Sequence, residues 1–452
     1  MLHRPARDIC VSALISVAAG WGCCCAAPVT RAIAATAAPS CADTAPCERP
    51  SSSHTWQIVK IVAGGVMPGV YFHPTEPGLM YIRADVGGAY RWNATTSLWT
   101  PLTDWLGGTN ADWSLMGIES IAIDPTDPNR LYLAAGMYIT SWSPINAAIL
   151  ASDNRGATFQ RVDLPFKMGG NDLINGQQTG ERLAVNPFKP NELYLGTHEN
   201  GLWVSEDYGS AWSQMASFPI TSSPDLAGVI FVRFDPRHAG TVYAGVYAGA
   251  YTGGIYRSTD SGATWQQVPG QPTTLPDGET LRPMRCALGP DGLLYVTYAN
   301  SAGMIAISNG AVYRFDTGTG VWTDITPPDT LSTLWYGYCA VSTDSQRNAT
   351  VVVGTWNRWS PGDDFFRSTD GGITWHSLKQ SAVIDTSLSP YLNYQPPVFG
   401  VWNASFEIDP FDSNHAVYDA GNSVLATNDL TNLDSGQPTH WYVGARMEPR
   451  KR

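Results

Sequence analysis

The stretch STDSGATW, Ser258–Trp265, recurs along the chain. SDNRGATF begins at Ser152, SEDYGSAW at Ser205 and STDGGITW at Ser368. The starts are separated by 53, 53 and 110 residues, so one copy has decayed within the last interval. Equal spacing of about 50 residues marks an array of equal supersecondary units. The apolar residue nine before each closing aromatic locates the weaker copies. YRFDTGTGVW runs from Tyr313 to Trp322, YRWNATTSLW from Tyr90 to Trp99, and LATNDLTN starts at Leu425. The anchors are Tyr90, Leu150, Trp203, Tyr256, Tyr313, Phe366 and Leu425, which makes seven units.

A second element keeps phase with the first. His73-Pro74, Asp124-Pro125, Asn186-Pro187, Asp235-Pro236, Gly289-Pro290 and Asp409-Pro410 each precede a short apolar run, and Ser342 opens the one turn without proline. Each unit therefore reads as inner strand, proline turn, strand, variable loop, strand, Asp-box turn, strand. Four strands per unit, repeated radially, predict an all-β, seven-bladed β-propeller. In the boxes, Asp and Ser side chains bind nearby backbone amides and Gly supplies a positive φ, while the closing aromatic packs between units. Their Asp residues mark architecture, not chemistry.

Composition fits. A chain of 452 residues would ordinarily suggest several domains, but a propeller distributes its core between blades. With 17 Trp, 20 Tyr, 44 Gly and 32 Pro, a helical bundle is excluded. A net charge of −12 argues against a nucleic acid or anionic membrane partner. Abundant aromatics suit a flat, neutral ligand such as a sugar, although most would fill blade interfaces.

Arg4 and Arg7 precede an apolar run and small residues, the pattern of an export signal over residues 1–27. Cleavage is expected between Ala26 and Ala38. Residues 28–54 read as a disordered leader, 55–445 as the propeller and 446–452 as an aberrant basic tail. The expected destination is secreted or periplasmic. Cys41 and Cys47 could close a small leader loop; Cys286 and Cys339 fall on innermost strands of adjacent blades and read as buried free thiols. His and Cys spacing suggests no metal site, and no cofactor is expected.

The strings VAGGVMPGVYFHP, ADVGGAYRWN, WTPLTDWLG, DWSLMGIESIAIDP, NRWSPGDDFFRSTDGGITW and THWYVGA occur in order between Ile58 and Ala445. This combination resembles glycoside hydrolase family 74, the xyloglucan-cleaving endoglucanases and their reducing-end-specific relatives. The resemblance implies two tandem seven-bladed propellers with a groove between them. It implies inverting hydrolysis of xylose-branched β-1,4-glucan, with one catalytic Asp per propeller. The family's D-[IV]-G-G-A-Y string falls on Asp85, which would be the general base; read from its residues alone, Asp85 could equally stabilise a turn. Inversion needs a second, protonated carboxyl roughly 6.5–9.5 Å from the base. No second D-[IV]-G-G string occurs within these 452 residues. Beyond Ala445 the sequence turns basic, from Arg446 to Arg452, where the family continues acidic. The expectation is a truncated chain that keeps the base, lacks the acid and is weak or inactive alone, unless a separately encoded second propeller supplies it.

The competing expectation is a non-catalytic propeller that binds xyloglucan or a related β-glucan. Trp105, Trp113, Trp142, Trp335, Trp356 and Trp359 could stack on glucose faces or simply pack, and Arg358 and Asp363 could reach hydroxyls or pair with each other. A sialidase also carries Asp boxes, but the Arg-Ile-Pro string and a fitting charge are absent.

Overall fold

The computed structural model describes residues 66–444 except 107–110, 172–175, 177, 224–226, 248–252, 304–305, 329–335, 388–398, 401, 420 and 422. The expected signal peptide, leader and basic tail, the cysteines Cys41 and Cys47, and Trp335 lie outside the described residues.

Blade one consists of β1 (Gly69–Phe72), β2 (Met80–Arg83), β3 (Ala89–Asn93) and β4 (Leu98–Pro101), paired antiparallel in chain order. Blades two to six repeat this meander, so seven sheets form the ring. The inner strands of blades two to seven are Ile118–Ile123, Leu183–Val185, Gly228–Phe234, Arg282–Leu288, Gly337–Thr343 and Phe406–Asp409. Blade seven holds a fifth strand. Ala382–Asp385, which follows the last strand of blade six, pairs parallel to Thr439–Val443 at the outer edge.

The Asp boxes fold as their residue types require. Ser258 Oγ donates to Asp260 Oδ1 at 2.8 Å and accepts the Gly262 N–H at 2.9 Å. Asp260 also accepts the Thr264 N–H at 2.9 Å, and Gly262 has φ 80°. Its carboxyl is held down at about 2, chiefly by the Thr264 hydroxyl. Trp265 closes the box edge-on against Phe218 of blade three, 5.0 Å between centroids. The same Ser–Asx–Gly bonds recur at Ser152, Ser205 and Ser368. In blade seven Thr427 replaces the serine and donates to Asp429 at 2.8 Å, and a 3-10 turn over Leu430–Ser435 replaces the rest.

Apolar clusters fill the seams. One joins Leu133 and Leu150 of blade two to Tyr81 and Ala89 of blade one. Another joins Phe365 of blade six to Phe406, Tyr418 and Trp441 of blade seven. Among the described residues, blades seven and one meet without exchanging a strand. Met67, Val70, Met80, Ile82 and Trp92 pack against Val417, Val424 and Ala426, and the Val70 N–H donates to Ser405 Oγ at 2.9 Å. The axis is polar: Arg83 and Arg285 both reach Glu181, at 3.3 and 3.4 Å, and Arg182 meets Glu119 at 2.6 Å. Cys286 and Cys339 are free thiols on inner strands of blades five and six; Cys339 is buried as expected, whereas Cys286 keeps partial exposure. Burial pushes them up to about 12 and about 11. Among the described residues no helix is long and apolar enough to cross a membrane.

Candidate functional site

Antiparallel chain order sorts the loops between two faces. The first and third turns of each blade, the proline turns and Asp boxes, emerge together; the second turn and the link to the next blade emerge opposite. Asp85 lies in the second turn of blade one, Trp142 in that of blade two, and Arg358, Trp359 and Asp363 in that of blade six. Trp105 and Trp113 lie in the link between blades one and two. All therefore belong to one face, opposite the Asp boxes.

Asp85 follows β2 in a five-residue turn that Gly88 makes possible. Gly88 has φ 82°, and a Cβ there would lie 1.9 Å from Thr103 Oγ1, so only glycine fits. Gly87 is less demanding: a Cβ would meet Ala84 Cβ at 3.3 Å. The turn is held on one flank by the link to blade two, where Gly88 N–H donates to Met116 O at 2.8 Å and Ile118 N–H to Ala84 O at 3.2 Å. On the other flank the Asp85 N–H donates to Val66 O at 3.3 Å. Asp85 is 8% exposed. Burial pushes its carboxyl up to about 6, against the opposing pull of its own and the Val86 N–H and of the Arg83 charge. A carboxylate that still ionises near neutrality, on a loop beside solvent, has the profile of a general base. Among the described residues no group of His, Cys, Asp and Glu is arranged to hold a metal ion.

The tryptophans divide. Trp142 and Trp359 are each 60% exposed, Trp105 54% and Trp113 41%. Trp105 is steadied by its Nε1–H donating to Leu102 O at 3.1 Å. Trp356 is 1% exposed and packs against Met284, Ala299, Ile307 and Cys339, so it offers no open face and serves the core. Arg358 and Asp363 are also corrected from sugar contacts to supports, since both are buried. The Arg358 guanidinium lies 3.7 Å from Asp364 and over the Tyr336 ring, while Asp363 accepts the Arg358 N–H at 2.9 Å, Thr355 Oγ1 at 3.0 Å and the Trp402 N–H at 2.6 Å. Burial raises the Asp363 carboxyl to about 6 despite these donors.

Two aromatics escaped the sequence reading. Trp402, in the link from blade six to seven, stands edge-on to Trp359 at 5.7 Å and has φ 61°. Tyr138 lies against Trp142 at 4.3 Å. Tyr138 shares a loop with Trp142, so a search for aromatic neighbours within each loop would have found it; Trp402 lies in a different loop from Trp359 and comes beside it only in three dimensions. Asp363 thus braces the two loops that bring Trp359 and Trp402 together.

Fold and site define a class first: a seven-bladed Asp-box propeller with one buried carboxyl in a Gly-Gly turn and exposed tryptophans on the same face. Within that class, the chain is similar to xyloglucanases, among them crystal structures of GH74 enzymes. It is 38% identical over 451 residues to an oligoxyloglucan-reducing end-specific xyloglucanase of Emericella nidulans, an alignment covering 87% of this chain and 54% of the relative. It is 39% identical over 433 residues to a xyloglucanase of a Paenibacillus species, covering 88% of this chain and 41% of the relative. The crystal structure of the GH74 xyloglucanase from Xanthomonas campestris superposes with a TM-score of 0.77 at 39% identity, over 85% of this chain and 55% of that one. The chain thus spans about half the length of the curated relatives it matches. No family-level sequence model matches it.

Proposed function

We propose that this propeller supplies the general-base half of an inverting, xyloglucan-hydrolysing site. The observation that carries the reading is Asp85 itself, a buried carboxyl in the D-V-G-G turn of a chain whose homologues are xyloglucanases. Ionised Asp85 takes a proton from the water that attacks the anomeric carbon. Its raised pKa makes it a stronger base than an exposed carboxylate, at the cost of needing a pH above about 6. Trp105, Trp113, Trp142 and Trp359 present ring faces on which glucose units stack.

The leaving oxygen needs a proton from a second carboxyl across the scissile bond. These 452 residues contain one D-[IV]-G-G string, so that acid comes from a second propeller, and the chain alone is weakly active or inactive. General acid catalysis contributes typically ~10²–10⁴-fold. Residues 1–27 act as an export signal and place the protein outside the cytoplasm, where its polysaccharide substrate is. Exposed tryptophans favour a second reading, a propeller that binds xyloglucan without cleaving it.

The test is reducing-sugar release from xyloglucan by the purified chain, alone and mixed with the second propeller of a GH74 relative. Asp85→Ala serves as the control. Release that needs both the partner and Asp85 supports the base assignment. Binding of xyloglucan oligosaccharide with no turnover in any mixture favours the binding module. Release that survives Asp85→Ala removes Asp85 from the reaction.

A further inference from the structure

A buried arginine reaches across the axis to the segment that holds Asp85. Arg285 lies on the inner strand of blade five, Arg282–Leu288, and is 7% exposed. Its Nε donates to Gln178 O at 3.2 Å, and its Nη1 to Glu181 Oε1 at 3.4 Å. Nη2 donates both to Gln178 O at 3.0 Å and to Pro68 O, 217 residues away in sequence. One planar guanidinium thereby fixes three acceptors relative to one another, which a single ammonium cannot do.

Two of those acceptors belong to a fixed platform. Residues 178–181, in the link between blades two and three, bond to blades one, four, five and six. Thr179 O accepts Arg83 Nη2 at 3.5 Å, and Glu181 O accepts the Val232 N–H at 2.9 Å. The Gly180 N–H donates to Met284 O at 2.9 Å, and Gln178 O accepts Cys339 Sγ at 3.2 Å. Gly180 has φ 55°, and a Cβ there would lie 1.6 Å from Ile230 O, so only glycine fits.

The third acceptor is on the side of the base. Pro68 ends the segment that enters β1, and two residues before it the Val66 carbonyl accepts the Asp85 N–H at 3.3 Å. The proline ring fixes φ and the peptide units are planar, so pinning Pro68 O restricts where Val66 O can point. Met116 and Ile118 hold the other flank of the Asp85 turn independently. We propose that Arg285 is a positioning residue for Asp85: it pins residues 66–68 to the platform and so fixes the carbonyl that holds the backbone of the base. The inference rests on the reading of Asp85 as the base.

The experiment is amide hydrogen exchange in the full chain, followed by NMR at Asp85 and at Gly88, whose N–H donates to Met116 O on the independent flank. Arg285→Lys keeps the charge but not the fork. Arg285→Gln removes both, while Arg83, 3.3 Å from Glu181, still pairs that carboxylate. Thr297→Val deletes a hydroxyl that donates to Cys339 O at 2.6 Å, loosening the same inner strands without touching the fork. Both Arg285 variants are expected to speed exchange at Asp85 by about tenfold, the order for an amide losing its support, with Gly88 within about twofold of the parent. Thr297→Val should lower Tm and leave both amides near the parent rate. Parent-like exchange at Asp85 in the Arg285 variants would overturn the proposal. So would equal acceleration at Gly88, or the same acceleration in Thr297→Val, since either reduces Arg285 to general support of the ring. In the mixture reconstituted with a second propeller, Arg285→Lys should lower kcat by about tenfold or more and hold KM within about twofold, because a misplaced base slows the chemistry and leaves the exposed tryptophans intact. If exchange responds as expected but Asp85→Ala spares hydrolysis in that mixture, the restraint stands while the base assignment falls.

Discussion

Asp85→Asn should make this protein more stable at pH 7 and leave its stability nearly unchanged at pH 4. The native carboxyl titrates at about 6, against 3.8 for an unperturbed aspartate, because the site buries it. A folded-state pKa above the unfolded value means that the native state binds the proton more tightly. Stability is then lost as pH rises from about 3.8 to about 6, with the full penalty present above that window. A gap of roughly two units at ~1.4 kcal/mol each sets a ceiling of about 3 kcal/mol. The amide is also polar and keeps no ionic attraction to the Val86 N–H, so the realised gain should be ~1–3 kcal/mol. In a domain of this size that is a rise of roughly 1–4 °C in Tm. Thermal melts of parent and variant at pH 4 and pH 7 read the difference directly. A variant destabilised at pH 7, or shifted equally at both pH values, would refute the claim that burial of a charge at Asp85 is tolerated for function and not for stability.

Three further outcomes follow from the same geometry. Ser258→Ala orphans the buried Gly262 N–H and should cost about 1–3 kcal/mol in a denaturant titration, with xyloglucan-oligosaccharide affinity unchanged because the box lies on the opposite face. Trp359→Ala should weaken oligosaccharide binding in calorimetry while changing stability by less than about 1 kcal/mol; Trp356→Ala, a core truncation, should cost ~3–5 kcal/mol. Cys286 and Cys339 should resist alkylation by iodoacetamide at pH 8 in the native chain and react on unfolding, since burial keeps both thiols protonated.

The gain expected from Asp85→Asn is one instance of a wider feature of this face. Asp85, Asp363 and Asp419 are all buried carboxyls in or beside its loops, and burial raises all three. Only Asp85 lies in the D-V-G-G turn proposed as the base. Asp363 accepts the N–H of Trp402, in the link to the next blade, at 2.6 Å, whereas Asp419 accepts that of Gly421 in its own turn. Loops without regular secondary structure have few internal hydrogen bonds, and a buried acceptor shared between two of them compensates.

The sequence by itself determined the number of blades, the order of strands within each and the place of Asp85 in a Gly-Gly turn. Those features are local: an Asp box closes within seven residues through Ser258, Asp260 and Gly262, so its signature survives in linear order. Even the degenerate seventh copy at Leu425 marks a real strand, Val424–Thr427. Which tryptophans face solvent was decided only in three dimensions. Trp356 and Trp359 are three residues apart, yet one fills a seam between blades while the other stands free. The partners of Arg358 and Asp363 and the parallel fifth strand of blade seven were likewise invisible. Each depends on a contact across blades, and the ring closes between Val70 and Ser405, 335 residues apart. No spacing rule reaches that far; only closure of the propeller brings those groups together.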